Sequence, residues 1–148
     1  MVDAAPRAFI ADRTILVVIA NDNYSATRGG IKPYDDILNA KFDGKMAEMC
    51  LGADDDQHKI VRQNVSYNDL KELMKDLTTK LHVNKAQGLR TLVKVYFAGH
   101  GAMKNLTYCI TATPGKQPYY PLENMLMKLS AIDEAFVFAI FDCCRDEL

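Results

Sequence analysis

The sequence lacks an excess of charge of either sign. Its 18 lysines and arginines almost balance its 19 acidic residues, which leaves a formal net charge of -1. Proteins that bind nucleic acid or anionic membranes through electrostatics usually carry a clear basic excess. We therefore expect neither a nucleic-acid partner nor a membrane partner.

Long apolar runs and paired cysteines are also missing. No run approaches the ~20 residues that cross a bilayer, and residues 1–13 lack the basic start and apolar core of a signal peptide. The cysteines show no disulfide-like spacing, which favours a reducing compartment. We therefore expect a cytoplasmic protein. The four cysteines are Cys50, Cys109, Cys143 and Cys144.

Apolar patterns alternate between strand and helix along the 148 residues. The unbroken apolar run at 15–20 predicts a strand buried on both faces. Apolar residues at 60–61, 92–98 and 136–141 predict further strands, the one at 60–61 a weak one, and Tyr108 to Thr113 is a short extended segment. The alternation predicts one α/β domain, in which a mostly parallel sheet is flanked by helices on both faces. The apolar faces of the three predicted helices are Leu38, Phe42, Met46 and Met49; Leu70, Leu73, Met74, Leu77 and Leu81; and Leu122, Met125, Leu126, Leu129 and Ile132.

Polar residues and a glycine predict where two of these helices begin and end. Asp35 and Asp36 are placed to cap the first helix, and Gly52 is placed to end it. Ser66 and Asp69 have the spacing of a capping box at the start of the second helix.

Two of the predicted strands are followed by residues of the types that act in catalysis. One strand ends at His100, between two glycines, and the last strand ends at Asp142, two residues before Cys144. The carboxyl ends of parallel strands form the binding crevice of such sheets. A thiol becomes a good nucleophile near neutral pH when a neighbouring base, usually histidine, favours the thiolate. If the two strands are neighbours, the imidazole and the thiol meet at one edge.

This arrangement predicts a Cys–His hydrolase. Cys144 attacks a carbonyl carbon, and His100 protonates the leaving amine. The backbone N–H groups of Gly101 and Cys144 are candidates to stabilise the oxyanion of the tetrahedral intermediate. Asp142 is a candidate wall of a pocket for a cationic side chain.

Three segments resemble the caspase superfamily, most closely the paracaspases and next the metacaspases. Residues 96–101, Tyr-Phe-Ala-Gly-His-Gly, resemble the histidine box, and residues 142–145, Asp-Cys-Cys-Arg, resemble the cysteine box. Residues 19–24, Ile-Ala-Asn-Asp-Asn-Tyr, resemble the paracaspase strand ending Ile-Gly-Asn-x-Asn-Tyr. The histidine and the cysteine lie 44 residues apart (144 minus 100), close to the roughly 50 found in caspases.

The resemblance implies a caspase-like three-layer sandwich that is truncated after the catalytic cysteine. Residues 1–12 are then a loose leader, and residues 13–148 are the large-subunit domain without its small subunit. It also implies that Cys144 is the nucleophile, His100 the general acid and base, and Gly101 an oxyanion donor.

The resemblance further implies a specificity pocket with two acids. Asp142 is the first, and the second lies near the start of the helix after the first strand, where Asp43 is the first candidate and Asp36 the second. Such pockets imply cleavage of proteins or peptides after Arg or Lys, with no cofactor.

Alternative functions come from other classes. A catalytically silent caspase-like module would dock a partner, and a homodimer through the sheet edge at the last strand stays open. A nucleotide-binding domain is disfavoured because residues 21–30 lack the glycine pattern that cradles a phosphate. A metal site is disfavoured because Cys143 and Cys144 are adjacent, without the two-residue gap that zinc sites favour.

Overall fold

Three α-helices, one short 3-10 helix (Asp56–His58) and eight strands are present in the part of the chain that the computed structural model describes. The described residues are 10–24, 36–104, 107–111, 119–143 and 146–147. In chain order the elements are β1 (Arg13–Ala20), α1 (Ala40–Leu51), β2 (Lys59–Gln63), α2 (Tyr67–Ala86), β3 (Thr91–Ala98), β4 (Gly101–Lys104), β5 (Thr107–Thr111), β6 (Tyr119–Tyr120), α3 (Leu122–Ser130), β7 (Ala135–Asp142) and β8 (Asp146–Glu147).

The strands form two sheets. The larger sheet has the order β2-β1-β3-β7, and every neighbouring pair in it runs parallel. The smaller sheet has the order β6-β5-β4-β8, with β4 starting directly after His100. The predicted α/β class with a parallel sheet is confirmed, whereas β4, β6 and β8 were not anticipated from the sequence.

One side of the large sheet, here called the closed face, is covered by α2 and α3. Alternate residues of β1, among them Ile15 and Val17, pack there against leucines of both helices. Helix α2 begins with the predicted capping box: the Ser66 hydroxyl accepts from the Asp69 N–H (3.3 Å), and the Asp69 carboxylate accepts from the Ser66 N–H (2.8 Å). Its buried stripe is also the predicted one: Leu70, Leu73, Met74, Leu77 and Leu81.

The opposite side, here called the open face, is covered by α1. This helix buries its small residues, Ala40, Gly44 and Ala47, against β1 and β3. A Cβ added at Gly44 would lie only 2.9 Å from the Cβ of Ala20, so the helix and β1 are in close backbone contact. Only small side chains fit between elements that approach so closely.

The predicted apolar face of α1 is therefore wrong. The large residues of the predicted face are exposed instead of buried against the sheet, with exposed fractions between 44% for Met46 and 92% for Leu38. The sequence pattern predicted that the large apolar side chains of the helix are buried, but the side chains that pack against the sheet are the small ones. The exposed large residues are Leu38, Phe42, Met46 and Met49.

The ends of α1 differ in how well they were anticipated. Gly52, with a positive φ of 61°, ends the helix as predicted. At the start, the capping position is Asn39, which makes no side-chain capping bond. Asp36 instead accepts a hydrogen bond from the Tyr24 backbone N–H (2.7 Å), and Asp35 lies outside the described residues.

The start of the described chain is tied to the sheet at Asp12. Its carboxylate accepts hydrogen bonds from the backbone N–H (2.9 Å) and the Nε (3.2 Å) of Arg90. Residues 1–9 of the predicted leader lie outside the described residues. None of the helices in the described part is both long and apolar enough to cross a membrane.

Candidate active site

The two strands that carry the predicted catalytic residues are direct neighbours. β3 and β7 pair in parallel with Ala98 opposite Asp142, and the Gly99 N–H donates to the Asp142 carbonyl oxygen (3.3 Å). His100 therefore follows one strand end immediately beside the other. Cys144 lies outside the described residues, two positions after Asp142 along the chain, as His100 lies two positions after Ala98.

Tyr24 lies against His100. Its hydroxyl oxygen accepts a hydrogen bond from the His100 backbone N–H (3.0 Å), and the two rings meet edge to face with centroids 4.7 Å apart. A Cβ on Gly99 would lie 2.7 Å from both the Tyr24 hydroxyl and the Phe97 ring, so only glycine allows this approach. The glycine before the histidine is therefore required by the contact.

Burial raises the pKa of Tyr24 to about 12. The hydrogen bonds from the His100 amide and the Asn21 side chain act in the opposite direction, and a negative charge on Cys143 adds to the increase. Tyr24 is thus a neutral phenol at physiological pH, with an oxygen that accepts hydrogen bonds next to the candidate base.

Two acids and a second tyrosine meet on the open face. The Tyr96 hydroxyl donates to Oδ2 of Asp142 (2.9 Å). Burial raises the pKa of Tyr96, and the hydrogen bond to Asp142 and the charges of Asp142 and Asp43 raise it further. Tyr96 therefore stays protonated and donates to the carboxylate.

A groove of about 290 Å³ runs between α1 and the strands β3 and β7. Asp43, Met46 and Cys50 line it from α1, and Tyr96 and Ile140 line it from the sheet. Most of the side chains that line the groove are apolar, and Asp43 contributes a carboxylate to the lining. Of the two sequence candidates for the second acid, Asp43 lies in the groove with Tyr96, whereas Asp36 is bonded to the Tyr24 backbone.

The remaining predicted residues lie around the same strand ends. Gly101 is buried as the first residue of β4, opposite Ile110 of β5. Cys143 is half-buried and packs against the closed-face core, whereas Asp142 contacts Tyr96 on the open face. The side chains of Asp142 and Cys143, at the end of β7, thus lie on opposite faces of the sheet.

Sequence reasoning gave no role to Tyr24 or Tyr96, although both lie in the quoted motifs. The signal for Tyr96 was available, because strand alternation puts it on the face that Ala98 and the opposing Asp142 share. The contact between Tyr24 and His100 joins residues 76 positions apart and has no local signature.

Within the described ranges, no three histidine, cysteine or acidic side chains are grouped as metal ligands would be. No family model matches the sequence, and no curated protein gives a significant match to it.

Proposed function

We propose that the chain is the catalytic part of a cysteine endopeptidase of the caspase superfamily, with the three-layer sandwich of that superfamily. The register of β3 and β7 is the observation that supports this most directly. In this register Ala98 lies opposite Asp142. His100 comes two residues after Ala98, and Cys144 comes two residues after Asp142. Histidine and cysteine at adjacent carboxyl ends of parallel strands suit a nucleophile and its base.

The proposed reaction is acyl transfer through a thioester. The Cys144 thiolate attacks the scissile carbonyl carbon, and the N–H groups of Gly101 and Cys144 stabilise the resulting oxyanion. His100 donates a proton to the leaving amine as the C–N bond breaks. A water molecule then attacks the thioester, gives its proton to His100, and releases the acid product and the Cys144 thiolate.

The proposed specificity is for Arg or Lys before the cut. Asp142 and Asp43 are the acids of the pocket, and both raise the pKa of Tyr96, which lies between α1 and β7. Because Tyr96 occupies one oxygen of Asp142, the other oxygen is left for a cationic side chain of a protein or peptide substrate. A guanidinium or ammonium gains charge-assisted hydrogen bonds there. The mechanism requires no cofactor.

Alkylation of the folded protein tests the catalytic pair. With iodoacetamide and peptide mass mapping, we expect Cys144 to react faster than Cys50, and His100→Ala to slow Cys144 alone. Cys50 is the matched control because it is already exposed and gains nothing from His100. Equal rates at the two thiols, or a faster Cys143, would contradict the assignment.

A library of fluorogenic peptides tests specificity. We expect cleavage after Arg or Lys that is abolished by Cys144→Ala and by His100→Ala and retained by His82→Ala, because His82 is exposed on α2. Asp142→Lys should remove the preference for basic residues. A preference for Asp before the cut would contradict the proposed pocket.

The alternative is a catalytically silent caspase-like module that docks a partner. Apolar side chains exposed on the open face and on β7 favour it, among them Phe42, Phe136 and Phe138. Among the described strands, β7 has a neighbour on one side only, so a second copy pairing with this edge is one form of such docking. A silent module would leave Cys144 no more reactive than Cys50, so the alkylation experiment separates the two functions.

A further inference from the structure

The residues that flank His100 place little conformational restriction of their own on the chain. Glycines stand on both sides of the histidine, and glycine restricts the chain less than any other residue. A catalytic imidazole has to be held within a fraction of an ångström of its working position. Contacts from outside the segment 99–101 must therefore supply the constraint.

Tyr24 supplies two such contacts, one to the backbone and one to the ring. Its hydroxyl accepts the His100 N–H (3.0 Å), which fixes the peptide plane before the side chain. Its ring meets the imidazole at an interplanar angle of 63°, which restricts the rotation of the side chain. Tyr24 itself is only 4% exposed, so it is a fixed surface for His100.

The segment that carries Tyr24 is anchored from several sides. The Tyr24 N–H donates to Asp36 (2.7 Å), and the N–H groups of Asp22 and Asn23 both donate to Oδ1 of Asn64 (3.0 Å each). Asn64 has a positive φ of 51°, a conformation that asparagine tolerates better than most residues.

Asn21 links the same segment to the start of α2. Its backbone N–H donates to the Ala98 carbonyl (2.9 Å), and its side chain accepts from the Val65 N–H (3.0 Å). Asn21 is fully buried, and its side chain also hydrogen-bonds Tyr24. The phenol thus belongs to a buried polar network that joins β1, β3 and α2.

We infer that Tyr24 is a positioning residue that fixes the backbone and the imidazole of His100 for proton transfer. This inference rests on the proposed role of His100 as the general acid and base. Tyr24 does not touch the substrate or exchange protons. Its contribution is to hold His100 in one orientation beside the end of β7.

Two substitutions separate the two contacts. Tyr24→Phe removes the acceptor of the His100 N–H and keeps the ring, and we expect kcat to fall about tenfold, the value of one hydrogen bond, while KM stays within about twofold. Tyr24→Leu removes both contacts and should lower kcat further. Tyr67→Phe is the matched control, because Tyr67 makes an edge-to-face pair with Tyr120 on the closed face. It should change neither constant.

Nuclear magnetic resonance gives a readout that does not need peptidase activity. In Tyr24→Phe, we expect the His100 amide proton to move upfield and to exchange faster with solvent, while the His100 ring protons stay in place. In Tyr24→Leu, the ring protons should move as well, because the ring current of the tyrosine is lost. The exposed His82 is the internal reference and should not move in either variant.

The outcomes separate this inference from the proposed function. If the protein cuts peptides and Tyr24→Phe leaves kcat and the His100 amide unchanged, the positioning role is overturned while the peptidase stands. If no peptide is cut but the His100 resonances respond as described, the contact is supported and the peptidase is overturned. If Tyr24→Leu does not fold, the amide shift and kcat of Tyr24→Phe decide the matter.

Discussion

The two faces of the large sheet are covered in different ways. Among the residues that the structure describes, α2 and α3 bring leucines into a core of 18 buried residues on the closed face. On the open face, the described cluster of buried residues has six members, and three of them are alanines. Because hydrophobic stabilisation follows the apolar area that is buried, the closed face carries most of the folding free energy.

The thin cover of the open face is what leaves room for the groove. α1 lies close to β1 through Gly44 and Ala47, and a groove lined by Tyr96 of β3 and Ile140 of β7 remains beside the helix. A second row of large side chains would fill that space. The same sheet thus has one face with a large apolar core and one face on which acids lie beside a groove.

Truncating a leucine on the closed face should have the largest effect. Leu77 is completely buried in α2, and Leu77→Ala should lower the free energy of unfolding by about 2–5 kcal/mol, because it removes apolar contacts and leaves a cavity. The measurement is urea unfolding followed by far-ultraviolet circular dichroism, since the chain has no tryptophan.

The matched substitution on the open face is Met49→Ala in α1. Met49 is 72% exposed, and its truncation should cost less than about 0.5 kcal/mol. Equal losses at Leu77 and Met49 would mean that the large side chains of α1 are buried in solution. That result would break the comparison between the faces.

Enlarging the small stripe of α1 should have the next largest effect. Gly44→Leu places a Cβ 2.9 Å from the Cβ of Ala20, which has no flexible end that can move aside. Leucine gains about 0.8 kcal/mol of helix propensity over glycine, so any net loss of stability comes from the clash and is smaller than the cost of the clash by that amount. We expect a net loss of about 1–2 kcal/mol.

Lys45→Leu is the control for this substitution. It introduces the same side chain one position later, on the exposed side of α1, and should leave stability nearly unchanged. A Gly44→Leu variant as stable as the Lys45→Leu variant would show that α1 does not depend on close contact with β1.

The sequence predicted best what local patterns decide. Short apolar runs identified the four strands of the large sheet, β2 only weakly, and leucines at helical spacing identified the buried face of α2. The capping box at Ser66 was also visible, because its hydrogen bonds join residues only three positions apart. In each case the residues that form the contact are neighbours in sequence.

Features that depend on long-range contacts were not predictable in the same way. The pairing of β3 with β7 had to be assumed, since no local pattern fixes the order of parallel strands. The buried side of α1 was misjudged because hydrophobic periodicity favours Phe42 and Met46, whereas close packing favours Gly44 and Ala47. At the site, Tyr24 could not be connected to His100, because β1 and β3 come together only in the folded sheet.

Alkaline unfolding gives the smallest and most specific test of the closed face. Burial raises the pKa of Tyr120 from its ordinary 10.0 to about 12. The unfolded chain therefore ionises this phenol near pH 10, while the folded protein resists ionisation until about pH 12. The stability that depends on the neutral Tyr120 is complete below pH 10 and is lost as the pH rises toward 12.

Replacing Tyr120 by phenylalanine should flatten this part of the stability curve. Tyr120→Phe has no phenol to ionise, so its urea midpoint should decline less steeply above about pH 10 than that of the parent protein. Tyr119→Phe, on the same strand but half-exposed, is the control and should keep the parent slope. Identical slopes for the Tyr120→Phe variant and the parent would mean that water reaches Tyr120, and that the closed face is less tightly packed there than its burial indicates.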